Sequence, residues 1–368
     1  MVDLKSQYLK IKPEIDNAIQ NVIDSCQFVK GNDVKAFELE LALHLQVKNV
    51  ITCGNGTDAL QVALMALGLK PGDEVITTDF TFIATVEVIA LLGLTPILVD
   101  VNPKTFNIDI ESVKKAISPK TKAIVPVHLF GQCADMEPLL KIAEEFGLYI
   151  VEDTAQGLGA EYRFSDGTIK KAGTMGNIGC TSFFPSKNLG CYGDGGAVFT
   201  DNDEWASLMD SYRVHGKGSD KYQNVRIGMN SRLDTIQAAV LLEKFKAFKE
   251  WELTDVNIAA GRYNERLEGV VPVPVVEEGF GSSWAQYAIR LESSQQRERV
   301  QKALNEQDIP TMVYYPLPMH RQQAFAGLSV RNCPVADRLC ETVLSLPMHP
   351  YLTEEQIDTV CTALKAAL

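Results

Sequence analysis

The chain lacks the raw material for a metal or disulfide framework. Its eight cysteines, at positions 26, 53, 133, 180, 191, 333, 340 and 361, contain no Cys-x-x-Cys pair, and the five histidines complete no zinc spacing with them. Reduced, mostly buried thiols are the expectation. Apolar runs of membrane-spanning length are missing too, and the opening Met-Val-Asp-Leu-Lys-Ser-Gln-Tyr has no secretory-type hydrophobic stretch, so the chain reads as cytoplasmic with no membrane partner. Positive charge is in deficit. The 35 Lys and Arg against 47 Asp and Glu give a formal charge of −12, which argues against broad capture of nucleic acid and leaves anionic ligands to local cationic sites. There is no internal repeat and no low-complexity tract. What remains is 368 residues of packed, globular composition, enough for one large domain and a smaller companion.

From about residue 49 to 200, short apolar runs alternate with helical patterns, the signature of a mostly parallel sheet covered by helices. The predicted strands are Val50–Cys53, Glu74–Thr78, Pro96–Val101, Ala123–His128, Tyr149–Glu152 and Ala197–Thr200. The predicted crossovers include a helix from Asp58, then Phe82–Leu92, Ile110–Ile117 and Glu137–Phe146. Beyond Asn230 the spacing predicts one long helix from Leu233 to about Leu267 bridging two domains. A smaller α+β region follows, with a strand over Trp284–Glu292, a helix over Arg297–Asp308, a Pro-rich loop Tyr315-Pro-Leu-Pro-Met-His and a last helix from Thr353. The expected division is an N-terminal segment (1–12), a large α/β domain (13–245) and a small C-terminal domain (246–368).

Three loci carry chemistry. Gly54-Asn-Gly-Thr-Asp-Ala joins a strand to a helix, so its backbone N–H groups and the helix dipole suit a phosphate. It also matches G-x-G-x-x-A, with Asp79 after the next strand as a ribose-binding acid, which keeps a nicotinamide enzyme open as an alternative. Asp153 ends a strand at the carboxyl edge of the sheet, where such folds bind ligands, although an Asp there equally suits a helix N-cap. Lys187 lies in Thr181-Ser-Phe-Phe-Pro-Ser-Lys-Asn-Leu-Gly, among hydroxyls, aromatics and glycines. A phosphate turn, a strand-end acid and such a lysine are together what a protein contributes to pyridoxal phosphate chemistry: the acid keeps the pyridine nitrogen protonated, and the lysine binds the aldehyde and shuttles protons. A nicotinamide enzyme leaves Lys187 unexplained.

Motifs along nearly the whole chain resemble the DegT-type sugar nucleotide aminotransferases, pyridoxal phosphate enzymes of fold type I. They are Phe28-Val-Lys-Gly, Cys53-Gly-Asn-Gly-Thr-Asp-Ala-Leu, Pro71-Gly-Asp-Glu-Val-Ile, Phe80-Thr-Phe-Ile-Ala-Thr, Glu152-Asp-Thr-Ala-Gln, Ser182-Phe-Phe-Pro-Ser-Lys, Arg213-Val-His-Gly, Gly228-Met-Asn-Ser-Arg-Leu-Asp and Tyr315-Pro-Leu-Pro-Met-His. The resemblance implies an α/β fold with a three-layer large domain and a smaller α+β domain. It implies Lys187 as the lysine that holds the cofactor, Asp153 as the partner of the pyridine nitrogen and Gln156 beside the phenolic oxygen. Gly56, Thr57 and Ser182 form the phosphate cup in that reading, and Phe82 stacks on the ring. Asn230 reaches the cofactor phosphate of a neighbouring subunit, so the expected form is a homodimer with shared sites. Phe82 by itself suits a core position, and Gln156 and Ser182 suit local backbone hydrogen bonds. Thr78-Asp-Phe departs from the Thr-Pro-small pattern usual in relatives.

The implied reaction moves an amino group from L-glutamate to a keto-sugar nucleotide. Asn230-Ser-Arg and Cys191-Tyr-Gly-Asp-Gly-Gly look closer to the branch that aminates 3-keto sugars, within it to enzymes acting on UDP-2-acetamido-2-deoxy-3-oxo-D-glucuronate, which serve surface polysaccharide (lipopolysaccharide, O-antigen) synthesis. Arg232 then suits the sugar carboxylate, with an intramolecular ion pair as the other possibility. Tyr315 and His320 are further sugar-side candidates, with a turn cap as the other reading of His320, and Arg213, Lys217, Lys221 and Arg226 form a basic loop that suits a diphosphate, with solvated surface as the other reading for most of it. A 4-keto or dTDP-3-keto sugar aminotransferase, and a regulator that keeps the fold without catalysis, remain alternatives. A dehydratase of the same fold replaces the lysine, and Lys187 is present.

Overall fold

The computed structural model describes residues 1–220, 222–328 and 332–368. Seven strands build the central sheet: β1 (Asn49–Cys53), β2 (Glu74–Thr78), β3 (Thr95–Val99), β4 (Thr121–Val125), β5 (Tyr149–Asp153), β8 (Ile178–Ser182) and β9 (Gly196–Thr200). Between β5 and β8 lies a hairpin, β6 (Glu161–Arg163) with β7 (Ile169–Lys171). The spatial order is β1-β9-β8-β5-β4-β2-β3, and only β9 runs against its neighbours. Because side chains alternate across a strand, Val75, Val125 and Val151 enter one apolar layer with the helix Gly56–Ala66, while Ile76, Ile124 and Ile150 enter another with the helix Met136–Phe146. Helices on both faces of a mostly parallel sheet make the expected three-layer α/β architecture.

The strand predicted at Glu74–Thr78 has those bounds and those at Val50–Cys53, Tyr149–Glu152 and Ala197–Thr200 gain one residue, while three others are displaced by one to three residues: Pro96–Val101 is Thr95–Val99, Ala123–His128 is Thr121–Val125, and Trp284–Glu292 is β10, Tyr287–Arg290. Three N-terminal helices (Leu4–Lys10, Lys12–Ser25, Asn32–Leu45) and β8 were not predicted. β8 reads Ile-Gly-Cys-Thr-Ser, whose small residues give no apolar signal. Its five residues are all buried, and a Cβ on Gly179 would collide with the Gly173 carbonyl and sit 2.7 Å from the Phe199 ring. Close approach, rather than strand propensity, selects this segment.

The long helix predicted from Leu233 is three segments, α-helical over Thr235–Ala247, π-helical over Phe248–Glu252 and α-helical over Leu253–Leu267. The wide turn rotates the apolar stripe. Before it, Ala238, Leu241 and Phe245 face Phe37, Phe183 and Phe199. After it, Val256, Tyr263 and Leu267 face a separate core with Tyr287, Leu346 and Leu364. That second core sits on β10 paired antiparallel with β11 (Val343–Leu346) and on the final helix Glu354–Ala367, whose Thr353 and Gln356 make a reciprocal capping box. Phe80 and Phe130 meet Ala288 and Leu339 where the two cores adjoin.

One lysine of the first long segment is a liability. Lys244 is 1% exposed, 5.2 Å above the Tyr192 ring, and burial lowers its pKa to about 8 against a weaker opposing pull from Glu252. With a folded value below the unfolded one, the charged form penalises the fold below pH 8. Stability should therefore rise as the pH goes from about 8 toward 10.5, where the unfolded chain still holds the proton. Lys244→Met is expected to raise unfolding free energy at pH 7 by on the order of 1–3 kcal/mol and to remove that rise, as measured by denaturant titration at several pH values.

Candidate active site

β5 and β8 are parallel neighbours, Asp153 aligned with Cys180, so their carboxyl ends deliver Asp153 and the 182–187 turn to one edge of the sheet. Asp153 is 4% exposed. Its Oδ2 accepts a hydrogen bond from Thr85 Oγ1 at 2.8 Å, with Thr81 Oγ1 a further 3.0 Å from Thr85, and its Oδ1 accepts from the Ala155 N–H at 3.1 Å. The local bond to Ala155 is of the capping kind, but residues 154–159 form a turn and no helix follows. Lys187 closes its own turn, its N–H donating to the Phe184 carbonyl at 2.9 Å. Its residue is half-buried, and burial pushes the amine below the ordinary lysine range while the Asp153 carboxylate pulls the other way. The two charges thus act on each other across the sheet edge.

The phosphate-type turn is built on the adjoining side. Asn55 caps the helix Gly56–Ala66 by accepting from the Asp58 N–H at 2.8 Å, which puts Gly56 and Thr57 at its positive end. A Cβ on Gly56 would come 2.7 Å from Ser182 Cβ, so only glycine lets the helix start touch the β8 end, and Gly56, with Thr57 next in the same first turn, meets Ser182. Ser231 Oγ accepts from the Gly54 N–H at 2.8 Å and donates to Asp58 Oδ2 at 2.6 Å, tying the Asn230–Arg232 segment to the same turn.

Over this floor stand aromatic rings. Phe82 is 55% exposed, so its place is not in the core. Tyr315 lies 6.4 Å from it and 5.9 Å from Phe80. Gln156 is buried and bridges two elements, its Oε1 accepting from the Phe130 N–H at 2.9 Å and its Nε2 donating to the Tyr315 hydroxyl at 2.8 Å. Burial pushes the Tyr315 phenol well above its ordinary range despite that bond, so it stays protonated. An acid, an amine, a helix-headed cup and an open aromatic face converge at one sheet edge.

Residues 9–365 match the DegT/DnrJ/EryC1/StrS aminotransferase family. The chain belongs to this family. Among curated relatives it is 45% identical, over 99% of its length and 98% of theirs, to the UDP-2-acetamido-2-deoxy-3-oxo-D-glucuronate aminotransferase of Pseudomonas aeruginosa. It is likewise 45% identical, over 97% and 95%, to a pleiotropic regulatory protein of Geobacillus stearothermophilus. Among solved structures, a DegT DnrJ EryC1 StrS aminotransferase from Brucella abortus superposes with a TM-score of 0.95 at 43% identity, covering 99% of this chain and 98% of that one. NtdA from Bacillus subtilis with bound cofactor PMP gives 0.88 at 34% identity, covering 97% and 82%.

The remaining residues of this aminotransferase divide sharply. Asn230 is exposed, its backbone bridged to Val214, and Arg232 is half-buried. Of the basic loop, Arg213 turns inward onto Glu38 (3.1 Å), Asp210 (2.6 Å) and the Thr52 carbonyl, and Arg226 bonds Ser211 and lies over the Tyr212 ring. These two are therefore occupied within the fold. Lys221 lies outside the described residues. Lys30, which no sequence motif singled out for chemistry, completes a different cationic group: burial first, then Arg213, Lys217 and Arg232, lower its pKa against the pull of Asp210. The His320 ring faces carboxylates on both sides, Nδ1 2.6 Å from Asp79 and Nε2 3.6 Å from Asp337. Asp79 is thereby taken, and the nicotinamide alternative loses the acid it needed for a ribose.

Sequence reasoning missed Thr85, the second anchor of Asp153, and the bond from Gln156 to Tyr315, 159 residues away; neither leaves a local signal. The neighbouring acid Glu152 was given no role. Glu152 is fully buried, accepting from the N–H groups of Gly173 (2.8 Å), Met175 (2.6 Å) and Gly176 and pairing with His128 Nε2 at 2.7 Å. Since His128 Nδ1 accepts from the Ala134 N–H at 3.0 Å, Nε2 carries the proton and donates it to Glu152.

Proposed function

We propose that this protein moves the amino group of L-glutamate to the C3 ketone of UDP-2-acetamido-2-deoxy-3-oxo-D-glucuronate, in a route to surface polysaccharide precursors. The coarser statement, a sugar nucleotide aminotransferase of the DegT family that uses pyridoxal 5′-phosphate, follows from the family itself. The residues fit that cofactor: the Gly56–Ser182 contact makes a cup that any larger residue would fill, Phe82 leaves a ring face open, and the Asp153 carboxylate acts on the Lys187 amine at the same sheet edge. That action of a fixed carboxylate on a buried amine carries the reading. When bound, the cofactor supplies an aldehyde that takes up the amine and a protonated ring that disperses negative charge.

The chain's own residues do the rest. Asp153, held by Thr85 and Ala155, keeps its charge aimed at one point and so maintains a proton on the ring nitrogen. Lys187 Nζ, lowered in proton affinity, takes and returns the proton at the amine-bearing carbon of the substrate. Gln156 holds the phenolic side, Thr57 with Ser182 the phosphate, and the protonated Tyr315 hydroxyl, held by Gln156, faces the sugar. Lys30, Lys217 and Arg232 form the local cationic group that a diphosphate or uronate needs on an acidic protein. We further propose a chain divided near residue 246, where the π turn redirects the helix, and a homodimer in which exposed Asn230 reaches the partner's phosphate cup. Sedimentation should give twice 40.5 kDa, and Asn230→Ala should loosen phosphate-side cofactor binding without altering that mass; a monomer with full cofactor affinity would defeat the shared-site reading.

The sugar reading rests on the Pseudomonas relative and on Arg232, whose guanidinium matches a carboxylate in two prongs. A panel of keto-sugar nucleotides with L-glutamate tests it. The 3-keto uronate should be preferred, and Arg232→Lys should cut kcat/KM for it by about 10–100-fold while changing a neutral 3-keto sugar little. Turnover of 4-keto deoxysugars alone would refute the C3 assignment. The Geobacillus relative favours a second reading, a regulator that retains the fold; absence of turnover with every ketone, in protein that carries cofactor on Lys187, would favour it.

A further inference from the structure

Asp79 follows β2 and is fully buried, a place where a carboxylate is costly unless it is matched by donors. Its matching comes mainly from a loop some 240 residues later in the chain. Asp79 Oδ1 accepts from the His320 N–H at 2.8 Å, Oδ2 pairs with His320 Nδ1 at 2.6 Å, and the Asp79 carbonyl accepts from the Met319 N–H at 2.9 Å. The Cys333 thiol lies against the same carboxylate, and Asp337, itself held by Arg321 at 2.6 Å, stands 3.6 Å beyond the imidazole. At the other end of this loop the Tyr315 hydroxyl is held by Gln156. The residues after Asp79 carry Phe82 and Thr85, the second of which fixes Asp153. Asp79 therefore fastens the loop above the site to the turn that organises its floor.

We infer that Asp79 and His320 are positioning residues that set the Tyr315 hydroxyl over the active site and so govern the sugar half of the reaction, not the donor half. The inference rests on the reading of Lys187 and Asp153 as the reacting centre. Met319 and Phe325 pack with Val86 and Leu98 and keep the loop on the protein without Asp79, so loss of the carboxylate frees its orientation rather than its attachment. Pro316 and Leu317, between the two fastened ends, are exposed, a surface that a bulky sugar nucleotide meets and a small amino acid does not.

The test uses Asp79→Ala, Asp79→Asn and Tyr315→Phe in the full chain. In cofactor-free protein, hydrogen exchange of the backbone amides of 313–322 should quicken roughly tenfold or more in Asp79→Ala, while those of β5 stay unchanged. In holoenzyme, kcat/KM for UDP-2-acetamido-2-deoxy-3-oxo-D-glucuronate should fall about 10–100-fold, with the L-glutamate half-reaction within about threefold of wild type. Asp79→Asn, which keeps an acceptor for the His320 N–H, should recover most of the loss, and Asp79→Ala added to Tyr315→Phe should cost little more than Tyr315→Phe alone. Unchanged exchange in the loop, equal losses in both half-reactions with faster exchange in β5, or fully additive losses in the double variant would each overturn the inference. A wild-type protein inactive on this probe would sink the substrate reading instead, and loop exchange would still decide the role of Asp79.

Discussion

Lys187→Ala is expected to abolish transamination, with a loss of at least about 10³-fold, in a protein that folds and sediments as wild type. The residue's backbone holds its turn through the Phe184 carbonyl, and that bond does not depend on the side chain. What the substitution removes is one amine whose proton affinity has been lowered by burial, at the one place where Asp153 faces it. Among the described residues two other lysines have a lowered pKa, Lys244 over the Tyr192 ring and Lys30 beside Asp210, and Asp153 acts on neither, so neither offers a substitute. Wild-type protein should be yellow and, after borohydride, carry the cofactor's mass on the peptide containing Lys187. Lys187→Arg is the companion variant: it keeps the charge beside Asp153 but cannot give up its proton, and should be as inactive as alanine. Normal turnover by either variant, or borohydride labelling of another lysine, would remove the centre from the site described above.

How much of this site is readable in the chain depends on how local each contact is. The parallel sheet is legible because largely buried strands such as Glu74–Thr78 stand out between helical patterns, and the cup is legible in part because Asn55 caps its helix through the nearby Asp58 N–H, whereas the close approach that requires Gly56 is to Ser182, far along the chain. β8 is not legible, since Gly179 and its small neighbours are chosen by what presses on them from Gly173 and Phe199. The π turn at Phe248–Glu252 changes which face of the helix is buried without breaking its composition, so the pattern reads straight through it. Likewise the sequence marks Tyr315 and His320 as neighbours on one loop, but only the fold sends one to Gln156 and the other to Asp79. Residues whose role is set by a partner far along the chain carry no periodicity of their own.

The pair Glu152 and Asp153 shows the same division at the scale of one peptide bond, and it frames the second large effect. Adjacent residues of a strand point to opposite faces, so two acids that look equivalent in sequence meet different surroundings. Glu152 is absorbed by three backbone N–H groups and His128, an arrangement that holds the 173–176 turn. Asp153 has two donors, Thr85 and Ala155, and an amine opposite. Asp153→Asn preserves shape and both anchors: its oxygen still accepts from the Ala155 N–H, and its amide donates to Thr85 Oγ1, which turns its own hydrogen toward Thr81. The negative charge is gone. Turnover should drop about 10²–10⁴-fold, roughly 3–5 kcal/mol of barrier, with the unfolding midpoint little changed. A second readout fixes the cause. Asp153 is the group that raises the Lys187 amine against burial, so in cofactor-free protein its neutralisation should move the pH at which that amine titrates to lower values. Glu152→Gln should do the reverse, lowering the unfolding midpoint while leaving that titration where it is. An upward shift of the titration in Asp153→Asn, or a larger catalytic loss in Glu152→Gln, would assign the working carboxylate to the wrong face of the strand.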